Sequence, residues 1–145
     1  MDEQTYLAGY QRRDFLSPLV TVDAVLFTYH NETLHVLLAE RAEHPEKGKW
    51  GLPGGFVDEA QDKTLEDTVL RKLREKTGVT PPYIEQLCTV GNGQRDKRGW
   101  SVTVCYTALI AMQACEKQIN TVNSVRWIPL DEAENMTLAF DHQLL

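Results

Sequence analysis

An α/β domain is what this sequence predicts, on three observations. Alternating, β-branched runs recur along the chain, VTVDAVLF, LHVLLAER and SVTVCYTALIA among them, which is the period-2 signal of half-buried strands. One highly charged segment, LEDTVLRKLREKT, places Leu65, Val69 and Leu73 four residues apart, as an amphipathic helix does. A length of 145 residues, 42% apolar and 25% charged, suits one compact domain with its own core.

Taken in order, residues 1–17 are polar with scattered aromatics, Tyr6, Tyr10 and Phe15, and read as an arm outside the core, either packed on a partner subunit or frayed. Pro18 then opens a strand that runs through Tyr29, Asn31 and Glu32 make a turn, and Leu34 to Arg41 returns as a second strand. Asp23, inside the first strand, reads as a hydrogen-bonded structural carboxylate ahead of a catalytic one. A polar loop follows. Gly54 and Gly55, after Pro53 and the short apolar run from Trp50 to Leu52, predict a sharp turn with little side-chain cover, which a small ligand can approach closely.

The helix is predicted over residues 65–77, with Thr64 as its cap, Asp67 three residues on and Gly78 as its stop. Its polar face carries Glu66, Asp67, Arg71, Lys72, Arg74, Glu75 and Lys76, which on charge alone is a solvated surface. Pro81 and Pro82 break the chain, Tyr83 to Gly91 forms a strand, and the charged loop NGQRDKRGW leads into the strand from Ser101. A last strand ends in VRWIPL, Asp131 to Glu134 opens a helical turn with acids at its N-terminus, and Leu138 to His142 begins another element. The chain stops at Leu145 without a cap or tail, an ending that reads as a cut within a longer protein.

Composition removes several function classes. No apolar run of about 18 residues and no secretory pattern is present, so nothing argues for a membrane and the expected location is cytoplasmic. Cys88, Cys105 and Cys115 have no paired metal spacing and read as reduced thiols. A formal net charge of −6 argues against nucleic-acid binding by this chain alone.

The stretch from Gly48 to Val79 resembles the Nudix family, whose box runs G, five residues, E, seven residues, R-E-U-x-E-E-x-G-U, with U a bulky aliphatic. Gly55, Arg71, Leu73, Glu75, Gly78 and Val79 recover that frame. Seven residues rather than five separate Gly55 from Lys63, and Lys63, Lys72 and Lys76 stand where metal-binding glutamates belong. Positions 72, 75 and 76 share one helix face, so the face that would present three carboxylates here carries two lysines and one glutamate. Magnesium needs hard oxygen donors, and an ammonium has no lone pair to give. Metal-assisted pyrophosphate hydrolysis is therefore disfavoured, while the lysines remain able to complement a diphosphate directly.

VTVDAVLF, YIEQL, RDKRGW and LAFDHQLL further resemble one Nudix subgroup, the Nudix-related transcriptional regulators of NAD metabolism, NrtR. The resemblance implies a Nudix-type α/β/α sandwich with a mixed sheet over residues 18–145. It also implies a non-catalytic sensor for ADP-ribose, without a required cofactor or magnesium, in a homodimeric repressor of NAD synthesis genes. Operator DNA would be bound by a C-terminal winged helix domain, and no such domain is expected within this chain.

For the ligand site, Gly54 and Gly55 are the expected close-approach turn and Phe56 the wall beside it. Arg41, at the end of the second strand, Arg95 and Arg98 are candidates for phosphate or ribose contacts, because a diphosphate demands cations or amides. Lys72, Glu75 and Lys76 occupy the face of the absent metal. Arg71 is expected in an internal ion pair. Phe140, with Asp141 and His142, is a weaker candidate for the base-binding end, a lone terminal His being more often a surface residue. Trp50 and Trp100 can stack on adenine or sit in the core. Two other readings stand beside this one: an active pyrophosphatase recruiting metal through Glu59, Asp62, Glu66 and Glu75, and an interaction module with a vestigial pocket.

Overall fold

A computed structural model describes residues 2–11, 17–111 and 124–142. Phe15, Cys115 and the polar loop expected after residue 115 as far as residue 123 lie outside the described residues.

The N-terminal arm contains a short helix, α1 (Glu3–Gly9), capped by the Asp2 carboxylate, which accepts from the Thr5 N–H. None of the residues of α1 is buried. Two long strands follow, β1 (Leu19–His30) and β2 (Thr33–Glu40). They form a hairpin whose two turn residues, Asn31 and Glu32, both have positive φ, 51° and 62°.

The next two strands are very short, β3 (Trp50–Gly51) and β4 (Gly54–Phe56), and they correct the reading of the glycine pair as a turn. Gly54 and Gly55 lie in an antiparallel strand, with Asp23 opposite Gly54 and Val22 opposite Gly55. Neither has positive φ. What demands glycine is proximity: a Cβ on Gly54 would stand 2.1 Å from the Val22 carbonyl oxygen, and one on Gly55 2.6 Å from Lys72 Cε. The close approach is made by the protein's own chain.

The helix α2 (Leu65–Thr77) spans the predicted residues. Thr64 and Asp67 form a reciprocal capping box, and Gly78, at φ 76°, closes the last turn in the left-handed conformation. Beyond it lie β5 (Glu85–Asn92), β6 (Ser101–Leu109), β7 (Val125–Pro129) and the short helix α3 (Leu130–Glu134).

The strands make one mixed sheet in the order β3-β2-β1-β6-β5, with β4 added to β1 and β7 to β2. Among the described strands β1 and β6 alone run parallel, and they pair along the whole of β6, from Leu19–Ser101 to Phe27–Leu109. The other edge of β1 is shared: β4 holds its first part, Thr21 to Asp23, and β2 its last, Phe27 to His30. This fork opens the sheet into a cleft.

The core has two halves, one per face of the sheet. Val22, Ala24 and Leu26 of β1 pack with Leu37 against Val69 and Leu73 of α2. Val25, Val36 and Leu38 point the other way, onto Leu52, Ala133 and Leu138. Helices therefore cover both faces, as the α/β sandwich reading required.

Candidate functional site

The fork between β2 and β4 opens into a cleft of ≈ 560 Å³, in the range that small-molecule sites occupy. Its walls come from the ends of β2 and β4, one face of α2, the loop before β6 and the segment at residues 140–142. Of the candidate ligand residues read from the sequence, Arg41, Gly54, Gly55, Phe56, Lys72, Glu75, Arg95, Arg98 and Phe140 line it. Their roles differ.

Helix α2 supplies two kinds of charged side chain. Arg71 is buried and internally satisfied, as the sequence suggested: Nε and Nη2 donate to Asp62 at 2.8 Å, Nη1 to Glu75 at 3.2 and 3.3 Å, and Nη2 also to the Phe56 carbonyl at 3.1 Å. Asp62 accepts in addition from Thr68 Oγ1 and the Asp58 N–H. The Arg71 hydrogen bonds hold the Asp62 carboxyl well below the usual carboxylate range and raise the guanidinium in turn. Asp62 thus serves this ion pair, and Glu59 and Glu66 do not line the cleft. Of the four substitute metal ligands considered, Glu75 alone faces it, and Glu75 already accepts from Arg71 and pairs with Lys72 at 3.6 Å.

Lys72 lays its stem across Gly55, which explains the missing side chain there. Lys76 lines the cleft one turn on and has no carboxylate within ion-pair distance among the described residues. Desolvation lowers its pKa although much of the side chain is exposed, and the like charges of Lys72 and Arg41 add to that; Asp23 and Glu75 oppose it. Lys63 does not reach the cleft; its N–H joins the α2 cap by donating to Asp67.

Arg41 leaves the end of β2, donates from Nε to the Pro45 carbonyl at 2.8 Å and sets its guanidinium 4.7 Å from the centre of the Phe140 ring. Desolvation and the facing Arg98 lower its pKa. Arg98 grips Asp96 with Nε at 3.0 Å and Nη2 at 2.8 Å, and its guanidinium carbon lies over both Phe56 and Phe140, at 4.6 and 5.7 Å from their centroids.

Arg95 is a correction to the expected phosphate contact. It is buried, and each guanidinium nitrogen already has a partner: Nε and Nη2 donate to Asp141 at 3.0 Å, and Nη1 donates to Ser101 Oγ at 2.9 Å. Its head lies 3.8 Å from Asp23, which also accepts from Thr103 Oγ1 and faces His142 Nε2 at 3.3 Å. Asp23 is thus the structural carboxylate that was read from the strand.

His142 overturns the expectation of a surface histidine. It is buried, and its Nδ1 accepts the Leu52 N–H at 2.9 Å, which puts the ring proton on Nε2, toward Asp23. Gly51 makes the room, since a Cβ there would meet Nδ1 at 2.7 Å. Sequence reading missed this floor of Asp23, Arg95, Asp141 and His142. The paired signs of RDKR and FDH were the available signal. Neither tryptophan lines the cleft: Trp50 packs on the second core cluster, and Trp100 is exposed beside Gly91 and Gly93.

Comparison with known proteins places these features in a lineage. The family described as the NUDIX domain matches residues 18–144. A curated relative, the ADPR responsive transcriptional repressor NtrR of Acinetobacter baylyi, is 49% identical over 140 residues, which is 97% of this chain and 56% of the repressor. The chain thus spans little more than half of that protein. Among solved structures, the NUDIX domain of Shewanella oneidensis NrtR complexed with ADP ribose is 62% identical, with a TM-score of 0.92 over 99% of this chain and 94% of that one. Shewanella oneidensis NrtR complexed with a 27mer DNA is 66% identical, with a TM-score of 0.81 over 86% of this chain and 57% of that one.

Proposed function

The chain belongs to the NUDIX domain family, and we propose that it is the ADP-ribose-sensing part of a cytoplasmic transcriptional repressor of NAD synthesis genes, binding its ligand without hydrolysing it. The similarity to a relative named as ADPR responsive, and to a solved domain named as complexed with ADP ribose, supports the ligand.

One observation carries the reading. Lys76 and Arg41 both line the cleft with lowered pKa values, Lys76 by desolvation and by Lys72 and Arg41, Arg41 by desolvation and by Arg98, and among the described residues neither guanidinium nor ammonium has a carboxylate within ion-pair distance. Such an arrangement costs energy until an anion enters it. A diphosphate supplies that anion with oxygens for both cations, and Lys72, on the same helix face, adds a third. Arg95 does not reach the ligand; it holds Asp141 and so positions the segment that carries Phe140.

The divalent ion implied by the Nudix box does not fit this donor set. Lys72 and Lys76 offer no lone pair, and Glu75 is engaged by Arg71 and Lys72. The lysines instead neutralise the phosphates, which is recognition without the polarised water that hydrolysis requires.

In the complete protein, a homodimer binds operator DNA through a part beyond this chain, and ADP-ribose acts by its differential affinity for two arrangements of that dimer. Among the described residues no helix is long and apolar enough to cross a membrane. Calorimetric titration with ADP-ribose, with and without magnesium, followed by chromatography for AMP and ribose phosphate, tests the reading. Saturable binding that needs no metal and leaves the ligand intact is expected. Metal-dependent cleavage would return the protein to the hydrolases, and absence of binding would leave an interaction module.

A further inference from the structure

We propose that Cys88 and Cys105 form a reversible dithiol–disulfide site, a cross-strand clip that a peroxide closes on the hairpin reaching into the cleft. The proposal stands on the sheet and does not depend on the ligand assigned to the cleft.

The register brings the two residues together. β5 and β6 are antiparallel, and after an irregularity between Gln86 and Cys88 the pairing resumes with Cys88 directly opposite Cys105. Residues so placed point their side chains to one face of the sheet. Their Cα atoms lie about 4.5–5.5 Å apart, inside the span of about 4.4–6.8 Å that a disulfide bridges. The side chains meet in the core cluster of Val25, Val36 and Leu38, and the two thiols are hydrogen-bond partners. Both are free.

Access to the two sulfurs differs. Cys105 is fully buried, whereas Cys88 is half-buried on β5, which ends the sheet and pairs with β6 alone among the described strands. An oxidant therefore meets Cys88 first. Its sulfur attacks one oxygen of the peroxide and becomes a sulfenic acid, while the other oxygen departs with the thiol proton, as water from hydrogen peroxide. The Cys105 sulfur then attacks the Cys88 sulfur, and the displaced hydroxyl leaves with the Cys105 proton as a second water. Two thiols have lost two electrons and one peroxide has been reduced. Burial, with the charges of Asp23 and Asp141, pushes the Cys105 thiol up, so the second step is slow. It slows reopening as well, since a reductant that attacks Cys88 must expel Cys105 as a poor leaving group. The clip, once made, persists.

Its position gives it consequence. The chain it closes, from Cys88 to Cys105, carries Arg95, Asp96 and Arg98, the three residues this hairpin sends into the cleft. Cys105 also lies opposite Asp23 of the cleft floor in the β1–β6 pairing. Closing that loop removes freedom from the unfolded chain and stabilises the hairpin. In a reducing compartment a disulfide of this kind is transient and reports oxidation.

The test treats the whole chain with hydrogen peroxide, blocks the remaining thiols with a maleimide after denaturation, and maps the peptides by mass spectrometry. Wild type, Cys88→Ser and Cys115→Ser are compared. Cys88→Ser changes a half-buried edge residue, and its urea midpoint before oxidation shows that the fold is kept. The clip predicts an intramolecular Cys88–Cys105 link in wild type and in Cys115→Ser, absent from Cys88→Ser and undone by dithiothreitol. It also predicts that oxidation raises the urea midpoint of Cys115→Ser by about 1 M and leaves that of Cys88→Ser in place. A link to Cys115, a link between chains, oxidation that stops at Cys88 with Cys105 still open to the maleimide, or no loss of thiols overturns the proposal. So does a urea midpoint lowered by the Cys88–Cys105 link, which would mean that the native register rejects it. Failure of both redox forms to bind ADP-ribose would sink the ligand reading and leave the clip standing.

Discussion

Arg71 and Lys76 sit on one helix, little more than one turn apart, and the difference between their surroundings separates structure from function. Arg71 is buried with five hydrogen bonds to Asp62, Glu75 and the Phe56 carbonyl. Its pKa is pushed up because every neighbour wants it charged. Lys76 has its pKa pushed down, by desolvation and by Lys72 and Arg41. A cation that its protein has satisfied is architecture, whereas one left beside other cations in a cleft is, on the proposed reading, a ligand contact. Both occupy box positions, and the sequence already set Arg71 in an internal ion pair and Lys76 on the face of the absent metal.

The comparison breaks first at Arg71. Arg71→Met leaves the Asp62 carboxylate without its partner and is expected to lower stability the most, read as a reduced urea midpoint at unchanged slope. A midpoint within experimental error of wild type would mean that the network is ornamental. Next in size is a pair of glycine substitutions. Gly54→Ala drives a methyl into the Val22 carbonyl, a backbone atom that cannot step aside, and should cost about 2 kcal/mol. Gly55→Ala meets only the flexible end of Lys72 and should leave the unfolding midpoint nearly unchanged while weakening pyrophosphate binding by displacing that lysine.

Lys76→Met is the converse of Arg71→Met. It should weaken ADP-ribose by about tenfold, the worth of one charge-assisted hydrogen bond, with stability equal to wild type or slightly higher. The smallest effects sharpen the contrast through pH. The folded pKa of Lys76 is lowered, so the charged lysine opposes folding below that value, and the opposition disappears as pH rises through it toward the ordinary lysine range. Any stability gained in Lys76→Met is therefore largest near neutrality and shrinks in alkali. Asp62 and Glu75 are depressed, so their contribution is complete above the ordinary carboxylate range and is lost as pH falls below it. The gap between wild type and Arg71→Met should narrow in acid, and thermal unfolding across the pH range reads both slopes.

What the sequence disclosed follows the range of the interactions involved. Helix α2 was legible to the residue because its cap, its apolar period and its stop are all local. The long strands were legible for the same reason. The glycine pair was misread because the need for glycine comes from Val22 and Lys72, more than fifteen residues away in either direction, and a three-residue strand has no period to detect. Arg95 was given to the ligand because its real partner, Asp141, lies 46 residues on. His142 looked like a terminal surface residue because Gly51, which makes room for it, and Leu52, which it binds 90 residues back, are invisible from its neighbourhood. The cleft's membership was readable from residue types; the division into ligands and props was not.

The parallel pairing of β1 with β6 has a consequence for the order of events in folding. Thr107 donates to the Val25 carbonyl across 82 residues of chain, and the whole of β6 pairs with β1. Closing so long a loop is entropically costly before any contact rewards it, and folds that depend on such contacts form slowly. As the chain leaves the ribosome, α2 and the β1–β2 hairpin are complete long before β6 exists. Until β6 arrives, the carboxylate of Asp23 lacks Thr103 and Arg95, and the cleft has no floor. On the proposed reading the site is completed late, since Asp141 and His142 of its floor follow β6 in the chain.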